Sequence, residues 1–182
     1  VDGDVPTGYY GVTEASLAAT GRGDLDPTNL PPDVAWQTVE DYAAYVDRTL
    51  EAIPNYTHAP AEVQSALIDL GYNAGPENVA RYPNLNAAME ERDWIRALEV
   101  GTLDVVTSDG MALRGLAARR AQNYNAAAGA LDHTNRILGV TQFQDGRVAY
   151  RDLDGFMMSV TPRAGRHPDS SIGYLRVENA YD

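Results

Sequence analysis

Lysine is absent from this 182-residue chain, and so is cysteine. Without cysteine, disulfides, thiolate nucleophiles and cysteine-ligated zinc are excluded. All 14 basic residues are arginines, set against 26 acidic ones, for a net charge of −12. A surface this acidic repels the phosphates of DNA and RNA, so nucleic acid is not an expected partner. It also disfavours adhesion to anionic wall polymers, which suits a protein that something else delivers to its target. Histidine is scarce: His58, His133 and His167 stand far apart without metal-ligand spacing, so no metal and no cofactor is expected. No stretch approaches the ~18 continuous apolar residues of a membrane span.

What is present fits an ordinary globular protein, with 44% apolar residues and enough length for one domain plus a modest appendage. The first residue is Val1, which predicts a chain processed or excised at its start. Residues 1–11 read as a short hairpin or loop. Thr13 is expected to cap a brief helix through Ala19, with Glu14 in its first turn. After a Gly/Pro-rich loop, Asp33 is expected to cap a long helix. Its stripe is Val34, Val39, Tyr42, Val46, Leu50 and Ile53, and Pro54 stops it. Pro60 opens the next helix, which carries Val63, Leu67, Leu70 and Tyr72 into Asn73-Ala74-Gly75-Pro76. Shorter helices follow at about 77–81 and 84–92, and Asp93 caps one from Trp94 to Val100. Ser108 or Asp109 is expected to open the last long helix, carrying Met111, Leu113, Leu116 and Tyr124, with Gly129 at its close. Beyond it, residues 140–143 and 147–150 flank Gln144-Asp145-Gly146, and Asp154-Gly155 precedes 156–160. That pattern predicts an antiparallel β-meander followed by an extended arm. Asp145, Asp152 and Asp154 read as turn residues more readily than as calcium ligands. The chain thus divides into a helical body, 1–128, and a β or extended appendage, 129–182. The fold class is mainly α (α+β), with a short β-turn at the start.

Three segments, in order, resemble the phage-type lysozymes of glycoside hydrolase family 24. The first is Asp2-Gly3-Asp4-Val5-Pro6-Thr7-Gly8-Tyr9-Tyr10-Gly11-Val12-Thr13, similar to the family's aspartate, short turn and Thr-Ile-Gly-Tyr-Gly. The second, Val63 through Gly75, resembles its Gln…Ala-Leu…Phe-Asn-x-Gly helix. The third, Arg114-Gly115-Leu116-Ala117-Ala118-Arg119-Arg120-Ala121-Gln122, resembles its Gly-Leu-x-x-Arg-Arg-x-x-Glu helix. Asp93-Trp94-Ile95-Arg96-Ala97-Leu98 stands between the last two as the usual tryptophan helix. Together they cover about two thirds of the chain. Each alone reads as capping, core aromatics or solvated charge; their joint order carries the resemblance.

The resemblance implies a peptidoglycan muramidase of a bacteriophage. Such chemistry needs a protonated carboxyl for the leaving oxygen and a second carboxylate to activate water or stabilise charge at the sugar. By alignment Asp2 is the aspartate, with Asp4 second, and Thr7 positions the water. Tyr9, Tyr72 and Asn73 are the implied substrate contacts, and Arg119 and Arg120 are placed to orient a carboxylate. The implied glutamate falls before Val1; Glu14, the nearest within the chain, reads as helix N-terminal charge complementation. Gly8 departs from the family's isoleucine. The helices from Asp33 to Gly129 are expected to form one wall of a sugar groove and Asp2–Thr7 the facing lip. Peptidoglycan glycan strands are the implied partner. The acidic charge and the β-tail point to a virion setting, tail-associated, with residues 129–182 contacting other virion proteins. A non-catalytic structural protein on a degenerate lysozyme-like scaffold is the alternative.

Overall fold

A computed structural model describes residues 7–103, 107–108, 111–144, 147–155, 157–160 and 175–177. Among these, the chain is mainly helical with a small antiparallel sheet, an α+β arrangement. Asp2, Asp4 and the Asp145-Gly146 pair lie outside the described residues, as does most of the stretch after Val160.

The opening is a 3-10 turn, Tyr9–Gly11, closed by Gly8 N–H donating to the Val12 carbonyl at 2.8 Å. Helix α1, Glu14–Ala19, starts on a reciprocal cap. Thr13 Oγ1 accepts from Ser16 N–H, and Ser16 Oγ accepts from Thr13 N–H. Helix α2, Pro32–Leu50, begins one residue ahead of the expected Asp33 cap, because Pro32 fits the first helical position, where a missing N–H costs nothing. Asp33 falls in its first turn and complements the helix dipole. The apolar stripe of α2 serves two cores. Val34 and Val39 pack with Val12, Leu17, Leu30 and Ala35, whereas Tyr42, Val46, Leu50 and the following Ile53 join the main core.

Helix α3, Ala61–Ala74, buries Val63, Ala66, Leu67 and Leu70. It crosses α2 closely at Gly71, where an added Cβ would meet Val46 Cγ1 at 2.8 Å. Helices α4 (Pro76–Val79), α5 (Pro83–Glu90) and α6 (Trp94–Leu98) follow, the last capped by Asp93 and continuing as a π-helical turn, Glu99–Leu103.

The last long helix starts later than its sequence suggested. Thr107–Ser108 (β1) and Met111–Ala112 (β2) pair antiparallel, and α7 runs Arg114–Ala130. Ser108, one expected opener of this helix, lies in β1 instead, while Asp109, the other, lies outside the described residues; Asp-Gly between two paired segments is a familiar hairpin sequence. Of the stripe expected on α7, Tyr124 is buried but Leu113 is 42% exposed; the rest of the inward face is Ala117, Arg120, Ala121, Ala127 and Ala128.

The expected β-meander is present. Strands β3 (Ile137–Gln142), β4 (Val148–Asp152) and β5 (Met157–Val160) follow one another, and β6 (Leu175–Val177) adds to β5, giving the order β3-β4-β5-β6. The sheet packs on α7, and Ile137, Val148 and Tyr150 enter the main helical core. Asn125 on α7 pins β3 by bonding both the N–H and the carbonyl of Ile137. The buried Tyr150 hydroxyl donates to the Leu103 carbonyl at 2.9 Å. Asp152, expected in a turn, instead ends β4 opposite Ile137; it is buried, and accepts from the Asn135 amide and from Asp154 N–H in the turn that follows. No helix among the described residues is long and apolar enough to cross a membrane.

Candidate functional site

Helix spacing places Glu62, Ser65, Asp69 and Asn73 on one face of α3. On α7 the same rule aligns Arg119, Asn123, Ala126 and Ala127. The two faces meet at Asp69. Arg120 Nη1 donates to Asp69 Oδ2 at 2.5 Å, Asn123 Nδ2 donates to the same oxygen at 2.6 Å, and Arg119 donates to Oδ1. Arg120 is only 1% exposed, so its charge sits in the core. Burial pushes its guanidinium pKa down, and the adjacent Asp69 carboxylate pushes it back up. Arginine stays protonated in proteins, so the charge persists and Asp69 is its counter-ion. The second and third of the segments that carry the lysozyme resemblance are therefore joined by ionic hydrogen bonds.

Beside this junction lies a pocket of about 320 Å³ between α3 and α7. Glu62, Ser65, Asp69 and Asn123 border it over a floor of alanines. Three donors hold the Asp69 oxygens, which makes Asp69 a clip between helices and leaves Glu62 as the exposed carboxylate of the pocket. The alanine floor suits a small apolar group, and Ser65 and Asn123 can bond a neutral polar one.

Asn73 lies one turn beyond Asp69 on this face; it is exposed, and its amide donates to the Asp69 backbone carbonyl at 2.5 Å. Tyr72 turns aside into an aromatic group, edge-on to Tyr42 at 5.0 Å, with Tyr42 stacked on Tyr45 at 5.8 Å. Its hydroxyl is buried without a hydrogen-bond partner, and burial raises its pKa. Tyr45 donates to Glu77, which holds the Glu77 carboxyl below its ordinary range.

Thr7 and Tyr9 belong to a different neighbourhood. Thr7 is exposed, and Tyr9, 61% exposed, lies against Tyr10, which meets Trp36 of α2 at 5.4 Å. Gly8, the departure from the family pattern, has a steric cause: a Cβ there would come within 1.8 Å of the Pro27 carbonyl oxygen. Trp36 and Tyr42 are six residues apart on α2, so the two neighbourhoods sit about 9 Å apart along its axis and on different faces. Tyr72 and Asn73 thus sit at the end of α3 with their side chains in different surroundings, and Tyr9 reaches the start of α2 through Tyr10. Glu14 is exposed at the start of α1.

Sequence reasoning passed over Asp69, although it lies inside the quoted motif, four residues from Asn73 and from Ser65. An acidic residue in the middle of a largely buried helix, in a chain with a tandem arginine helix, is a signal for such a pair. The Tyr10–Trp36 contact had a weaker signal, a tryptophan next to a helix stripe instead of on it. Compared with protein-family models, curated proteins and solved structures, the chain matches none of them.

Proposed function

We propose that this chain is the body of a phage-type muramidase, acting on the bond between N-acetylmuramic acid and N-acetylglucosamine in peptidoglycan. The supporting observation is the meeting of two resemblance-bearing segments, Val63–Gly75 and Arg114–Gln122, through Asp69, Arg119 and Arg120. In this reading Asp2 supplies the second carboxylate, Thr7 orients water, and Tyr9, Tyr72 and Asn73 contact the glycan. Arg119 and Arg120 fix α7 against α3 through Asp69. The net charge of −12 suits a virion-borne enzyme, carried to the wall by the particle instead of by its own charge. The test is release of reducing ends from purified peptidoglycan by the intact gene product. Activity abolished by Asp2→Asn and by Thr7→Glu supports the reading; activity unchanged by both removes it. Co-purification with particles tests the virion setting, and recovery only from the soluble lysate counts against it.

A specific observation favours a second reading, a glycan-binding or structural virion protein without turnover. At the α3–α7 pocket the Asp69 carboxylate is engaged by Arg119, Arg120 and Asn123 as a clip between helices, not left free for proton transfer. Saturable binding to purified wall with no reducing ends released would establish it.

A further inference from the structure

An exposed aromatic corner at the start of α2 is not accounted for by folding. Tyr9, Tyr10 and Trp36 are 61%, 58% and 52% exposed, and none belongs to either apolar core. The Tyr10 and Trp36 rings stand nearly perpendicular, at 78°, and Tyr9 is tilted at 48° to Tyr10. Tyr10 is held at φ +60°, a backbone region that bulky side chains rarely occupy. Gly8 fixes that conformation by lying flat against the Pro27 carbonyl and closing the turn onto Val12.

The described charged residues at helix spacing from Trp36 are acidic. Asp33 lies three residues before Trp36 and Glu40 four residues after it, so both share its helix face. Both are exposed, and Glu40 accepts the Trp36 indole N–H at 2.9 Å. Arg22, which reaches α2, is engaged by Asp41 at 2.6 Å. Aromatic faces carry negative quadrupole charge and attract cations, most strongly at tryptophan. Carboxylates beside them add a long-range pull in the same direction. Anionic ligands are repelled from the same place.

We propose that Tyr9, Tyr10 and Trp36, with Asp33 and Glu40, form a binding corner for an organic ammonium group. The ammonium lies against the exposed rings and within the field of the two carboxylates. This site shares Tyr9 with the muramidase reading but does not rest on it, and none of its residues lines the α3–α7 pocket. Its ligand carries an ammonium group; a free quaternary amine and a protonated amine on a peptide share that chemistry, and the probes separate them.

The test is NMR of the intact protein, following the Trp36 indole N–H, with the second tryptophan, Trp94, as internal reference. Tetramethylammonium chloride and lysine amide are titrated separately against sodium chloride at matched ionic strength. A saturable shift at Trp36 alone, with a dissociation constant of about 1–10 mM, is expected for an exposed cation–π site. A stronger response to tetramethylammonium assigns a quaternary ligand, and a stronger one to lysine amide assigns a peptide amine. Tyr10→Ala should abolish the saturable response. Glu40→Gln keeps an acceptor for the indole and should weaken binding about fivefold. The proposal fails if both cations do no more than sodium, if Trp94 shifts in parallel, or if Tyr10→Ala binds as well as the parent. A Trp36 shift with chitin oligosaccharides but with neither cation also overturns it, and gives the corner to a neutral sugar.

Discussion

The α3–α7 junction and the aromatic corner on α2 are built on opposite terms. At the junction, charge is buried: Arg120 is taken from water and held by Asp69, with Arg119 and Asn123 completing the set. At the corner, apolar rings are left in water while backbone geometry and Gly8 hold them there. Folding alone favours neither. A buried ion pair is often no more stabilising than an apolar pair of the same volume, and exposed tyrosine and tryptophan forfeit their burial energy. The difference is one of dependence. Loss of one partner at the junction strands a charge in the core, whereas loss of a ring at the corner leaves the fold unharmed.

The comparison is broken most directly at Arg120. Arg120→Ala should destabilise the protein by about 3–5 kcal/mol, the range for stripping a buried pair of one partner. At this chain length that lowers Tm by roughly 6–20 °C. The paired replacement Asp69→Leu with Arg120→Met should recover much of the loss, and a single variant costing under about 1 kcal/mol would show the junction to be ordinary surface charge. Trp36→Ala, by contrast, should stay within about 0.5 kcal/mol in the same denaturation experiment.

Alkaline pH sharpens the contrast between buried and exposed tyrosines. Burial raises the pKa of Tyr42, Tyr56, Tyr72 and Tyr82, and pushes Tyr124 up to about 12 from 10.0. The unfolded chain releases these protons near pH 10 and the folded one does not, so the stabilisation is complete below pH 10 and declines as pH rises above it. Tyr124 alone accounts for a loss on the order of 2 kcal/mol by pH 12. With no lysine in the chain, that window is free of ammonium titration, and urea midpoints at pH 8, 10 and 11 measure the decline. A flat profile would refute it.

Gly8→Ala places a Cβ against the Pro27 carbonyl and should cost roughly 2 kcal/mol, as overpacking does. Hydrogen exchange should show the loss in the core of Val12, Leu17, Leu30 and Ala35, with Arg120 and its surroundings protected as before. The smallest effect belongs to Tyr45→Phe, which removes the donor that depresses Glu77. It should cost under about 1 kcal/mol at neutral pH. That cost vanishes as pH falls through the depressed Glu77 pKa, because the stabilisation exists only while the carboxylate is ionised.

Much of the fold was legible because local chemistry and tertiary packing agree. Thr13 and Asp93 cap the helices they announce, Gly75 ends α3, and the segments flanking Gln144-Asp145-Gly146 form the expected meander. The misreading at Thr107–Ala112 arose from competing signals. Met111, Leu113 and Leu116 suit a helix periodicity, and Asp109-Gly110 suits a hairpin as well as a cap. Alanine hid the inward face of α7, since an alanine face has almost no hydrophobic contrast. Of the site, Tyr72 and Asn73 were found at the end of α3 where the motif put them. Asp69 was missed because a charged residue inside a helix reads as solvent-facing until its partner, fifty-one residues away for Arg120, is in view.

The burial of Tyr150 against Leu103 has a consequence for synthesis. A ribosome releases the helices first, but the space filled by Ile137, Val148 and Tyr150 stays open until those residues have also left the exit tunnel. The nascent helical body therefore spends part of its synthesis with a hydrophobic opening. Chaperone capture or premature association at that stage would act on residues that the finished protein conceals.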